Sequence, residues 1–480
     1  MHSMKKLAAA LMAIGLFSAA HAADKIAVDV ALTQATIIDV AAGTRATGKS
    51  VLLKGDTIVA VVSDADLKKK YAPKNTIKLP GKFLMPGLWD THVHFGGGEA
   101  LIEENKQLLP LYLAHGITAV RDCAGDLSDT VLSWRQQIAA GQMAGPTIFA
   151  SGQKLEGIKP LWKGTIEVGT PADVSRALDQ LQAQKVDFVK ITENTMTPET
   201  YLEALRQAKA RGMRTSGHLP GQMPLARAFD AGLGTVEHLS YLLRAATPRE
   251  AELAGQVAAG KLTGREVNRL SIESYDEATA RAAFRHMAAR GTAVVPTLSV
   301  SRITAYLDQE DHSHDSYLQY IGKGLRETYD WRVKRAAQDS PEAIALRHAV
   351  YEKSAALLPM LAQEGVSIIA GTDAGFLNSF DYPGQALHDE IALYVRHGLT
   401  PQQALQSAVV NGPRFLGKLE RYGSIGAGKV ADVLVLDADP LVDISATRKI
   451  RMVVSRGEVH DRARLDKMLD GVKRWVASQR

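Results

Sequence analysis

Eight short apolar runs recur through the middle of the chain, and the stretches between them carry apolar positions at helical spacing. The runs are 83–95, 117–123, 147–151, 188–192, 214–218, 235–239, 293–298 and 366–371. Each has roughly the length of a buried strand, and each interval is long enough for a crossover helix. In the interval Pro198 to Arg211, Leu202, Leu205 and Ala208 share one helical face and Gly212 ends the pattern. Strand–helix alternation repeated in this way predicts an α/β fold, a (β/α)8 barrel of TIM type over residues 83–412.

The two ends of the chain are patterned differently. Short runs at 35–40, 50–53, 57–62 and 77–79 are separated by turn residues, and Lys54-Gly55-Asp56-Thr57 predicts a hairpin turn. The same style returns at 432–437 and 450–457, after Gly423, Gly426 and Gly428. These segments predict one discontinuous β-sandwich domain built from residues 23–82 and 413–463, with a closing helix over 464–480. Two stretches, 243–290 and 300–360, exceed what a barrel helix needs. They are expected on the face where the strand-to-helix loops project, as a lid over a pocket or as surface decoration or an oligomer contact.

The first 22 residues read as a secretory signal peptide. Lys5 and Lys6 precede the apolar run Leu7 to Ala20, and Ala20-His21-Ala22 offers small residues for cleavage near Ala22/Ala23. The run is short of the ~20 residues needed to span a bilayer, so no stable membrane insertion is expected. The destination is the periplasm or the medium. Cys123 is the single cysteine; it excludes an intramolecular disulfide and reads as a small buried residue. A formal net charge of +5 on 480 residues, with basic and acidic residues interleaved, gives no electrostatic footprint for nucleic acid.

Five of these segments deliver residues suited to metal binding. His92 and His94, in Asp90-Thr91-His92-Val93-His94, are two apart, so on a strand both imidazoles point the same way. Lys190 lies in the mostly apolar Val186 to Ile191, where a free ammonium is costly. Two states relieve that cost, a pairing with a carboxylate such as Glu193 or a carbamate formed with CO₂, whose two oxygens could bridge two ions; the nearby histidines favour the carbamate. His218 and His238 each end a short run one strand–helix–strand step apart, and neutral imidazoles suit a zinc-type ion. Asp373, in Gly371-Thr372-Asp373-Ala374-Gly375, can touch one ion and move a proton between water and a leaving nitrogen.

Other polar residues carry weaker signals. Tyr241, three residues after His238, could polarise a substrate carbonyl. Arg121 could pair with a substrate carboxylate. His312 and His314 sit in a polar loop and read as solvated, His388 as structural, and His115, His286, His348 and His397 as packing or surface residues.

With these residues in place, the chain resembles the amidohydrolase superfamily, on its imidazolonepropionase-like and Xaa-dipeptidase (prolidase-like) side. The resemblance rests on the run from Leu84 to His94, Gly116-Ile117-Thr118-Ala119-Val120-Arg121-Asp122, Gly371-Thr372-Asp373-Ala374-Gly375 and the tail Gly423 to Asp432. It implies a barrel with a β-sandwich and two divalent ions, usually zinc. His92, His94 and Asp373 would hold one ion, His218 and His238 the other, and Lys190 would bridge. The implied reaction is cleavage of an amide C–N bond in a small substrate, of dipeptide or N-acyl amino acid type, by hydroxide held between the ions. A cyclic amide or lactone hydrolase is the alternative within enzymes; an inactive metal- or solute-binding protein is the alternative outside them. A homo-oligomer remains open.

Overall fold

The structure is a computed structural model that describes residues 25–479. The expected signal peptide, 1–22, lies outside the described residues.

Both chain ends build β structure. A four-stranded sheet has Thr57–Ser63, Lys49–Lys54, Ile26–Thr33 and Tyr71–Lys78 in that order. Gly55, at φ +55°, turns the predicted hairpin between Lys54 and Thr57. A six-stranded sheet mixes the two ends, in the order Glu458–Asp461, Ile450–Ser455, Val433–Leu436, Phe83–Pro86, Thr36–Asp39, Thr44–Ala46. Leu32, Val51 and Leu53 of the first sheet share a buried apolar cluster with Leu84, Val433 and Val454 of the second. Ile26–Thr33 has no counterpart among the expected strands; its polar Asp29 interrupts the apolar run.

The middle of the chain is mixed α/β, and its strands pair in parallel. One sheet has the order Thr147–Ala150, Ile117–Asp122, Leu88–His94, Ala374–Gly375. The other has Thr165–Glu167, Lys154–Glu156, Val189–Ile191, Thr215–Gly217, Thr235–Glu237, Ala293–Val295. Hydrogen bonds link their edges. Asp187 N donates to Ala150 O at 2.9 Å; on the other side Ile369 N donates to Val294 O at 2.9 Å and Thr91 N to Ala370 O at 3.0 Å.

Three expectations are corrected. The run 83–95 is two strands: Gly87 N turns to donate to Asp432 O at 3.1 Å, so Phe83–Pro86 pairs antiparallel with Val433–Leu436 while Leu88–His94 joins the parallel set. The run 366–371 is extended but makes a regular bridge only between Ile368 and Val294. Lys154–Glu156 and Thr165–Glu167 are additional short strands, too polar to show as apolar runs.

The helix Pro198–Ala210 forms as its spacing predicts. Thr197 accepts a hydrogen bond from Thr200 N at its start, and Leu202, Leu205 and Ala208 are buried. The terminal helix Arg462–Ser478 buries Leu465, Val472 and Val476. Both long insertions lie in the wall of one cavity of about 780 Å³. Gly264–Glu273 supplies Val267 and Asn268, while Lys323–Ala336 and Pro341–Ala355 supply Arg332, Arg347 and Val350. No helix among the described residues is long and apolar enough to cross a membrane.

Candidate metal centre

At the floor of that cavity the predicted residues converge. Leu88–His94 carries His92, fully buried, and His94, partly exposed. Their Nε2 atoms are 3.4 Å apart. Asp373 Oδ1 lies 3.2 Å from His92 Nε2 and 3.0 Å from His94 Nε2. His218 and His238, each just past a short strand, bring their Nε2 atoms to 3.1 Å. Ligand atoms of His92, His238 and Asp373 all lie within 4.8 Å of one another. Lys190 is 1% exposed on Val189–Ile191, and its Nζ has no hydrogen-bond partner among the described residues.

Each deep imidazole is braced from behind. His92 Nδ1 meets Glu237 Oε2 at 2.5 Å, His218 Nδ1 meets Glu193 Oε2 at 2.9 Å and His238 Nδ1 meets Thr297 Oγ1 at 2.8 Å. A carboxylate at Nδ1 holds the proton there and turns the Nε2 lone pair inward. Backbone strain clusters here as well. Asp373, His238 and Thr297 have φ of +77°, +70° and +49°, conformations costing of order 1–3 kcal/mol each unless their surroundings impose them. For Asp373 the imposing contacts are its N–H to His92 O at 2.7 Å and the Asn378 side chain on its carbonyl.

Electrostatics keep these groups in ligand form. Burial pulls His94 down to about 4 against the opposing pull of Asp373, and burial holds His238 well below its ordinary value. Burial alone would raise Asp373 and Glu237. For Asp373, His94 and His92 more than offset it, and for Glu237, Arg121 and His92 do, so both carboxyls stay well below the usual range. The result is neutral His94 and His238 imidazoles beside an ionised Asp373 carboxylate.

The donor set fits metal ions. Lone pairs facing each other at 3.1 and 3.4 Å repel in the absence of a cation. Two ligands ~2.0–2.1 Å from one tetrahedral zinc would stand about 3.3 Å apart. A buried lysine nitrogen without a partner is an uncompensated group that a carbamate would convert into a ligand. Glu193, the other partner considered for Lys190, is engaged by His218 and by the Tyr241 hydroxyl.

Arg121 is not where the sequence reading placed it. It is 1% exposed, donates from Nη2 to both Glu237 oxygens at 2.8 and 2.9 Å, and lies 4.7 Å from the Phe188 ring centroid. Its strand packs it beneath the centre, out of reach of a substrate. Tyr241 does line the cavity, with its hydroxyl given to Glu193. His312 is not solvated: it stacks on Phe380 with ring centroids 4.7 Å apart and bonds Asp315 at 2.9 Å. His388 bridges Thr447 and the His115 carbonyl, as a structural residue would.

Glu237 and Thr297, which brace His92 and His238, were not singled out in the sequence, and Glu193 was considered there only as a partner of Lys190, not of His218. Of Glu237 and Thr297, only Glu237 left a signal, a charge inside the otherwise apolar Val236-Glu237-His238-Leu239.

Comparison with known proteins gives the family and the fold. Residues 83–460 match the model of the amidohydrolase family. The chain is 25% identical over 459 residues to ochratoxinase of Aspergillus niger, covering 84% of this chain and 80% of that one. Solved structures that share its fold include the following two. A Xaa-Pro dipeptidase with methionine in its active site has a TM-score of 0.65 at 22% identity, covering 90% of this chain and 99% of that chain. Bottromycin amidohydrolase has a TM-score of 0.71 at 20% identity, covering 93% and 90%.

Proposed function

The chain belongs to the amidohydrolase family and is a hydrolase, and from that premise we propose that it is an exported enzyme cleaving the amide C–N bond of a small substrate, of dipeptide or N-acyl amino acid type, with two divalent metal ions, most simply zinc. The observation that carries the reading is the convergence of four histidines, three of them braced from behind, and Asp373 beside the unpartnered Lys190 Nζ. His92, His94 and Asp373 would hold one ion, His218 and His238 the other, and a CO₂-derived carbamate on Lys190 would bridge them. Bound there, the ions would supply a Lewis acid for the scissile carbonyl and acidify a water molecule.

The chain's own groups do the remaining work. Asp373, ionised at neutral pH, accepts the proton released as water oxygen bonds to the carbonyl carbon. It returns that proton to the nitrogen as the C–N bond breaks. Tyr241 and Glu193 orient His218 from the cavity wall. The inserted helices enclose the substrate and limit water.

This reading includes a closed (β/α)8 barrel that begins at Leu88, since Phe83–Pro86 pairs into the sheet of the chain ends, and that runs to 412, supported by the hydrogen bonds across both sheet edges. The sandwich made of 23–82 and 413–463, and the closing helix 464–480, complete it. Export rests on residues 1–22 and places the mature N-terminus near Ala23.

The test is metal content per chain together with initial rates on dipeptides, N-acyl amino acids, cyclic imides and lactones. Two ions and turnover of linear amides are expected, and Lys190→Ala should lose at least one ion and most of the activity. Turnover of only cyclic imides or lactones would move the substrate class. Two bound ions with no turnover would leave a metal-binding protein.

A further inference from the structure

The cavity in front of Asp373 carries more positive charge than its own carboxylates neutralise. Arg265 and Arg347 share Asp339, at 2.8 and 2.5 Å. Arg244 gives Nη1 and Nη2 to the Gly221 and Pro220 carbonyls at 2.8 and 2.9 Å. Glu193 and Asp373 are engaged by the centre's own histidines. Arg332 and Arg335, both on the inserted helix Lys323–Ala336, have no ion pair among the described residues; Arg335 is exposed and lies 4.5 Å from the Trp331 ring centroid, so Arg332 is the half-buried one without a counter-charge.

Its geometry is that of a receptor. Nε donates to the Leu377 carbonyl at 3.0 Å and Nη2 to Asn378 Oδ1, while Asn378 Nδ2 donates to the Asp373 carbonyl. One edge of the guanidinium is therefore pinned to the loop that carries Asp373. Nη1 makes no hydrogen bond to any described residue, and the half-buried side chain lines the cavity beside Asp373. Burial and the neighbouring Arg335 disfavour its charge, with Asp373 opposing. A desolvated guanidinium without an anion is unfavourable, and a carboxylate is the planar partner its fork matches.

We infer that Arg332 is a specificity-determining residue that receives a carboxylate of the substrate, so that the amides cleaved bear a free carboxylate close to the scissile bond. This deepens the proposed amide hydrolysis and rests on it. A substrate with a free amine in that position would face Arg332 and Arg335 and be disfavoured.

The experiment pairs N-acetyl-amino acids and dipeptides with their terminal carboxamides, on the metal-loaded wild type, Arg332→Met and Arg332→Lys. Wild type should prefer each acid over its carboxamide. Arg332→Met also removes the two hydrogen bonds to the Asp373 loop, so turnover should fall on both series, and the readout is the ratio: kcat/KM on each acid relative to its carboxamide should drop by about 10²-fold, the scale of removing one partner of a desolvated charge pair. Arg332→Lys, which keeps charge but not the fork, should recover part of the preference. Equal losses on acid and carboxamide, or no acid preference in the wild type, would overturn the assignment. If no amide is cleaved at all, amide hydrolysis fails as a reading. Calorimetric binding of the same acids and carboxamides then decides Arg332 separately. Acid-selective binding lost in Arg332→Met supports it, and equal binding of acid and carboxamide overturns it.

Discussion

The two histidine pairs of the centre are supported in different ways. Glu237, behind His92, is 0% exposed and also accepts from Arg121, Ser216 and Thr235, all buried. Glu193, behind His218, is 18% exposed, and its other side-chain partner is Tyr241 on the cavity wall. The first support is made from the core and cannot relax without leaving a buried charge. The second is made from groups a substrate can touch. The comparison teaches that the His92 side serves as the fixed reference and the His218 side is where occupancy of the cavity can be felt.

The largest effect is expected where the fixed side meets the chemistry. Asp373→Asn keeps the shape but cannot take the proton, so kcat should fall on the order of 10²–10⁴-fold, with metal content measured alongside. Near-wild-type kcat with metal retained would hand proton transfer to another residue.

Glu237→Gln breaks the fixed side directly. It leaves Arg121 buried without its anion and should destabilise the fold by about 3–5 kcal/mol in urea unfolding. A loss under about 1 kcal/mol would erase the distinction between the two supports, since surface-like sites fall in that range.

Glu193→Gln should instead act on function. It should lower activity or metal affinity by about 10–100-fold while urea stability stays close to wild type. A large stability loss with unchanged turnover would show that both sides are structural.

His388, outside the centre, sets the baseline for protonation. Burial lowers it from 6.5 to about 3. Below pH 6.5 the unfolded chain binds a proton that the folded chain refuses, so this contribution is complete above the unfolded value and is lost as pH falls toward the folded one. Between pH 7 and pH 5 the wild type should lose on the order of 1–2 kcal/mol more than His388→Asn. Equal losses in both proteins would show that His388 titrates normally in the fold.

Much of the candidate centre was legible along the chain because its candidate ligands terminate short apolar runs, and both features are local. His92, His94, Lys190, His218, His238 and Asp373 each stand at or within such a run, and their order matches the strands that present them. The hairpin at Gly55 and the helix Pro198–Ala210 were legible for the same reason: their signals are a turn residue, a cap and a spacing within a few positions. Tertiary structure alone decided what stands behind and in front of these residues. Arg121 meets Glu237 across 116 positions, and Glu193 meets His218 across 25. Arg332 reaches the Asp373 loop from an inserted helix 46 positions before Asn378. A charge's partner is set by which strand ends lie side by side and how deeply each is desolvated. Sequence by itself determined the identity and order of the candidate ligands; the packing of distant segments decided which charges are neutralised inside the protein and which half-buried one, at Arg332, is left lining the cavity.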